Sequence, residues 1–523
     1  MDKTLSSLLD AKGLAPPLAD ADANRVAKAL AKTVGMFVYP RSITAKDGSL
    51  FFLARGDSGK CLCVASQPGI PDDFGDSAVR GRLADPGPEF AVFPMSHDAS
   101  CGLRKHLPFT GPAVFGVKKA LGLGDRLGLA TPGHVQAVRG SGVVPYLAQQ
   151  SIREMSRTHR TPEQVMDTAS WGVLEEGWRD GFGSDADHLK TTDDIDVCFQ
   201  AGFTFYTVDP GDHVDNSADG LSGGELADKF DDQPWADLET TAEDCRAAYA
   251  GKTFQVGPAL ELTVSEEDLL RALVKYGRAI AHAAKMYRHV AGKMGDRPFE
   301  LEMSVDETEA PTTISDHFIV AGELKRLGVE WVSLAPRFIG EFEKGVDYKG
   351  SLDDFEKAFI KHVAIAKHFG PYKISLHSGS DKFSVYPIAA MHAGELVHVK
   401  TAGTSYLEAI RAIGAVEPPL FREILAYAFE RYEEDKASYH VSADPAKVPT
   451  PESLTDEELP AVLDLFDGRQ LLHVTYGSVL TCEEGGGFRF RDRILSALRG
   501  NEETHYAVLK KHLGRHVEPF KTM

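Results

Sequence analysis

Three short segments gather acids and histidines at the ends of apolar runs. They are Asp185, Asp187 and His188 in GSDADHL; Glu300, Glu302, Asp306 and Glu307 in FELEMSVDE; and His377 in YKISLHS, followed by Ser378-Gly379-Ser380-Asp381-Lys382. An acid inside an apolar strand, as Glu302 is, is expensive unless it meets a cation or keeps a proton. Together, His188, His377 and Glu302 form an imidazole and carboxylate set that suits one divalent cation such as zinc, manganese, nickel or cobalt, with an open position for a substrate oxygen. Asp187 beside His188 places a base next to a ligand. Taken singly, each histidine reads more readily as a satisfied cap on a strand end, and Glu302 as half of a salt bridge. Convergence is what favours chemistry.

Convergence needs a scaffold. From about Asp125 onward, short apolar runs alternate with long amphipathic stretches, the pattern of repeated βα units around a parallel sheet. Strands are expected at 126–130, 144–149, 182–189, 203–209, 299–307, 331–335, 372–378 and 396–402. Helix-start signals at Thr131-Pro132, Thr161-Pro162, Thr191–Asp194 and Ser351–Asp354 punctuate them. Eight strands close a barrel, so the expected fold class is α/β, a (β/α)8 TIM-type barrel. The barrel is placed at 121–403, after an N-terminal α+β cap region at 1–120 and before a helical C-terminal extension at 404–523 packed on it. A long insertion after strand four, 210–297, is expected to cover the mouth. Barrel sites sit at the C-terminal strand ends, and interior layers draw on alternate strands, so strands three, five and seven can meet at one depth. Lys190, Arg337, Lys382 and Lys400 lie at or just past strand ends, where they would hold an anionic substrate.

Other features narrow the function. A formal net charge of −20 repels polyanions, and neither a basic stripe nor an aromatic RNA motif offsets it, so nucleic acid is not an expected partner. No apolar run approaches the roughly 20 residues of a membrane span. Six sparse cysteines and an N-terminus without an export signal point to a cytoplasmic protein. Cys61 and Cys63 share a strand face, but no second Cys/His pair answers them. Asp209, Asp212, His213 and Asp215 do not have EF-hand spacing. Gly122, Gly124 and Gly128 are one residue too widely spaced for a dinucleotide fingerprint, and an expected strand follows where a helix should.

Six segments carry a resemblance to a known family: GDRLGLATPGH (124–134), SDADHLKT (184–191), ELEMSVDETEAPT (300–312), APRFIGEFEKGVDY (335–348), LHSGSDKF (376–383) and HVKTAGTSYLEA (398–409). The chain resembles the tagaturonate/fructuronate epimerases. That resemblance implies a metal-dependent isomerase acting on keto sugar acids of hexuronate catabolism, with the neutral ketoses tagatose and fructose as alternative substrates. SDADH and SLHSGS are also similar, more faintly, to segments of class II fructose-bisphosphate aldolases. This implies Asp187 as the acid/base and His188 and His377 as metal ligands. Those aldolases place a ligand histidine at the end of strand six, where this chain has Ala335-Pro336-Arg337; Glu302 is the substitute third ligand and a second catalytic candidate. An aldolase-like lyase is the rival reading.

Overall fold

The computed structural model describes residues 3–258, 260–306 and 308–521; Glu307 lies outside them. Eight parallel strands close a barrel: β1 (Ala120–Gly122), β2 (Val144–Ser151), β3 (Gly183–Leu189), β4 (Phe205–Val208), β5 (Glu300–Val305), β6 (Ser333–Pro336), β7 (Lys373–Leu376) and β8 (Val397–Lys400). Each strand pairs with its sequence neighbours, and β8 returns to β1 through His398 opposite Ala120 and Lys400 opposite Gly122. A helix follows each strand: α1 (Thr131–Val138), α2 (Pro162–Glu175), α3 (Thr192–Gln200), α4 (Glu266–Met294), α5 (Ile314–Arg326), α6 (Leu352–Phe369), α7 (Tyr386–Ala393) and α8 (Thr404–Val416). The expected barrel is therefore present. Thr161, Thr191, Ser265 and Thr313 start α2, α3, α4 and α5 by reciprocal capping, which satisfies backbone N–H groups that have no partner within the helix.

The first strand is displaced from its expected place at 126–130. Those residues form a loop organised by Asp125, whose carboxylate accepts from the N–H groups of Leu127 (3.1 Å), Gly128 (2.7 Å) and Ala130 (2.7 Å). The apolar alternation of RLGLA has another cause: Leu127 and Leu129 pack on the core of the C-terminal region. The insertion also differs from expectation. Its long helix α4 packs against α3 and α5 and so completes the outer ring, and no described residue of 210–297 lines the cavities at the barrel mouth.

A six-stranded antiparallel sheet within 37–94 precedes the barrel. Phe51, Leu53, Val64 and Phe93 from this sheet share a core with Trp171 and Leu174 of α2, so the sheet lies against the outer side of the helix ring. The C-terminal helices build their own core with Tyr406, Leu407 and Ile410 of α8, and the helix Glu502–Val517 packs against both α1 and α8. No helix among the described residues is long and apolar enough to cross a membrane.

The α1–α2 crossing depends on Gly172, because a Cβ there would sit 2.4 Å from Thr131 Cβ. Overpacking such a contact costs about 1–3 kcal/mol. Gly172→Val is expected to lower the urea unfolding midpoint accordingly, and an unchanged midpoint would show that the crossing has slack.

Candidate active site

The C-terminal end of β3 solves a geometric problem. Adjacent residues on an ideal strand face opposite ways, yet Asp187 and His188 both line the same cavity. The β3–β4 register slips by one residue here, Tyr206 facing Ala186 and Val208 facing Leu189, and His188 takes a left-handed φ of 52°. A bulge of this kind re-aims a side chain at a barrel rim.

Below this rim, the Lys400 ammonium sits among three carboxylates contributed by two other strands. Nζ lies 2.8 Å from Asp185 Oδ2, 2.8 Å from Asp187 Oδ1 and 2.7 Å from Glu302 Oε1, and it also donates to Thr207 Oγ1 at 2.8 Å. All four partners are buried. Burial alone would favour a neutral lysine, but the three carboxylates hold its pKa well above the ordinary value. Burial likewise opposes ionisation of Asp187 and Glu302, and Lys400 with the nearby histidines outweighs it, keeping both well below the usual carboxylate range. Asp185 is the exception. Burial, reinforced by Asp187 and Glu302 against the opposing pull of Lys400, pushes it up to about 7.

His188 and His377 face each other across the rim with ring centroids 5.1 Å apart. His188 Nδ1 lies 3.2 Å from Asp209 Oδ2. His377 is held from both sides, Nδ1 lying 3.0 Å from Asp306 Oδ1 and Nε2 2.6 Å from Glu302 Oε1. Against the penalty of burial, Asp306 and then Glu302 raise the His377 pKa to about 10. The other Glu302 oxygen, Oε2, is buried without a hydrogen-bond partner, 3.7 Å from His398 Nδ1.

Two contiguous cavities open here. The inner one, about 60 Å³, is lined by Asp187, His188 and Lys400; the outer one, about 310 Å³, by Asp306 and Arg337; Lys344, His377 and Ser378 line both. The structure thus brings together Asp187, His188, Glu302, His377, Lys400 and Arg337 from the sequence reading. It does not bring in the other two expected substrate cations. Lys190 is paired with Asp212 at 2.8 Å on the surface and lines neither cavity. Lys382 is buried and donates to the carbonyls of Glu343, Val346 and Ser380, where it shapes the loop after β7. Lys400 lines the inner cavity, but its charge is spent on three protein carboxylates rather than left for a substrate. Among residues that sequence reasoning missed, Lys344 had no strand-end position to mark it. Asp306 was visible among the acids of strand five, but its place against His377 was not.

Among the described residues, the His/Cys/Asp/Glu group with donor atoms all within 4.8 Å of one another is Asp381, His512 and His516, outside the expected ligand set. The Arg469 guanidinium already answers this carboxylate at 2.8 Å, and His516 Nε2 accepts the Asp381 N–H at 3.0 Å. The cluster is a latch that ties the C-terminal helix to the loop carrying His377.

Lys400→Met leaves three buried carboxylates without their shared cation, at a cost of about 3–5 kcal/mol. In the parent, stabilisation from the depressed Asp187 and Glu302 is present above the unfolded carboxyl pKa of about 4 and fades as pH falls through the folded values. In the variant, burial raises these carboxyls, and the folded state takes up protons. Its stability deficit is therefore expected to be large at about pH 8 and smaller at about pH 5 in urea unfolding; a deficit independent of pH would contradict the charge cage.

The tagaturonate epimerase (UxaE) family model matches residues 39–520. The tagaturonate/fructuronate epimerase of Thermotoga maritima is 45% identical over 485 residues, covering 92% of this chain and 97% of that one. The native crystal structure of fructuronate-tagaturonate epimerase UxaE from Cohnella laeviribosi superposes with a TM-score of 0.87 at 39% identity, covering 96% of this chain and 99% of that one. Its one-glycerol complex gives the same TM-score at 38% identity, with the same coverage of both chains. The chain belongs to the tagaturonate epimerase family.

Proposed function

We propose that this protein interconverts tagaturonate and fructuronate by inverting ketose carbon 4, and that it does so with one divalent metal through cleavage and re-formation of the bond between carbons 3 and 4. The observation that carries the reading is the charge balance of the barrel mouth. Asp185, Asp187, Asp209, Glu302 and Asp306 converge on one lysine and two histidines. A buried set with more carboxylates than cations fits a divalent ion, and the orphaned Glu302 Oε2 is consistent with it. His188, His377 and Glu302 would hold the ion, with Asp209 and Asp306 orienting the two imidazoles from behind. The three donors are not gathered within 4.8 Å, so binding would draw them together. When bound, such an ion supplies Lewis-acid stabilisation of the developing oxyanion.

The remaining steps belong to the chain. Carbon 4 is not adjacent to the ketone, so its C–H is not acidified for direct exchange. Asp187, ionised and facing the inner cavity, takes the proton of the carbon-4 hydroxyl. The O–H electron pair becomes a carbonyl at carbon 4 as the bond to carbon 3 breaks, and that bonding pair delocalises into the ketone as an enediolate. Rotation of the aldehyde fragment and re-addition to its other face invert the centre, and Asp187 returns the proton. Lys400 and Gln149, at 2.8 and 2.9 Å, fix the Asp187 oxygens throughout.

Metal-stripped and metal-restored protein incubated with fructuronate should differ, tagaturonate forming only in the restored sample, with Asp187→Asn slower by about 10²–10⁴-fold. In deuterium oxide the tagaturonate should carry no deuterium at carbon 4. Deuterium there would replace this route by proton transfer, and accumulation of free fragments would make the protein a lyase.

A further inference from the structure

Cations near the barrel mouth are mostly neutralised by neighbours. Lys400 has three carboxylates, Arg126 has Glu154 at 2.5 Å, and Arg469 has Asp381 and Glu408. In a chain with a net charge of −20 this is the expected outcome. Lys344 and Arg337, which line the outer cavity, depart from it. Among the described residues, neither Lys344 nor Arg337 has a carboxylate within 4.0 Å, although both are only half-exposed. The carboxylates lining the same outer cavity are already engaged: Asp306 by His377 at 3.0 Å, and Glu341 by His440 at 2.5 Å. The Lys344 ammonium donates to Ser378 Oγ at 2.7 Å, a neutral partner that leaves its charge unmet. Ser378 is held for this contact by a left-handed φ of 49°, uncommon in a residue with a Cβ. It is also the residue next to His377, and Lys344, Ser378 and His377, with Arg153 and Tyr439, form the wall common to both cavities. A ligand seated over Asp187 therefore passes this wall.

We propose that Lys344, seated on Ser378 and flanked by Arg337, is the carboxylate anchor that makes this site prefer a sugar acid to the corresponding neutral ketose. The inference rests on the epimerase reading for the identity of the acid, and on two cations without a carboxylate partner among the described residues for the anchor itself. An ammonium meeting a carboxylate forms a charge-assisted hydrogen bond, and a neutral ketose has no charged group to answer it. Lys400, Lys382 and Lys190 cannot take this role, since their ammonium groups are committed elsewhere.

Calorimetric titration of the metal-restored protein with fructuronate and, separately, with fructose tests the anchor without requiring turnover. The parent should bind the acid about 10- to 100-fold more tightly than the ketose. Lys344→Met should narrow that ratio by about the same factor, while Lys344→Arg should keep most of it. Added salt should weaken acid binding and spare ketose binding, a measurement that needs no variant and stands even if Lys344→Met fails to fold. Equal affinities in the parent, or equal weakening of both ligands by Lys344→Met, would overturn the anchor. Acid preference lost in the variant, with no tagaturonate formed by the parent, would keep the anchor and remove the epimerase reading.

Discussion

One ammonium group organises the centre of this barrel. Lys400 reaches from β8 across the interior to Asp185 and Asp187 of β3 and Glu302 of β5, joining strands that are not neighbours. Three buried carboxylates at under 3 Å from one cation could not all stay ionised without further positive charge, and the elevated Asp185 is the response. The rim above has the same bias, with Asp209 and Asp306 each claiming a histidine. A fold that wanted only stability would fill this volume with aliphatic side chains, which commonly match or exceed a buried ion pair. The polar layer adds little stability, which rests on the hydrophobic ring of helices, and it suits the chemistry proposed above.

The supporting devices act on backbone direction. The bulge at Asp187–His188 and the left-handed residues His188 and Ser378 turn side chains toward the cavities at the ends of β3 and β7, and left-handed Asp381 turns toward the C-terminal helices. Gly379 lets the β7 loop pass close to its neighbours, since a Cβ there would lie 2.6 Å from Leu376 O. Lys382 then binds three carbonyls of the surrounding loops, and Asp381 ties the loop to Arg469, His512 and His516. The C-terminal extension is part of the site in this physical sense. Tyr439 lines both cavities and His473 the inner one.

Much of this was legible in the sequence, and the failures have causes. Seven strands stood out as short apolar runs, and helix starts stood out because Ser and Thr caps have a local signature. The first barrel strand was hidden because Ala120–Gly122 is only three residues long, while RLGLA imitates a strand through contacts with a distant core. Asp187, His188, Glu302 and His377 were visible as polar residues where apolar ones belong. Cation roles were not visible, because a lysine at a strand end reads alike whether it faces solvent, carbonyls or carboxylates. Lys190, Lys382 and Lys400 met those three different fates. Lys344 lies in a loop with no periodicity, and only the fold brings it to Ser378.

The central claim is that this charge cluster is completed by a divalent cation at the barrel mouth. A crystal structure of the protein grown with manganese, with anomalous scattering recorded to locate the ion, tests it most directly. The account predicts one ion held by His188, His377 and Glu302, with Lys400 still in contact with Asp185 and Asp187. An ion bound instead at Asp381, His512 and His516, or no ion at the mouth at saturating manganese, would contradict it.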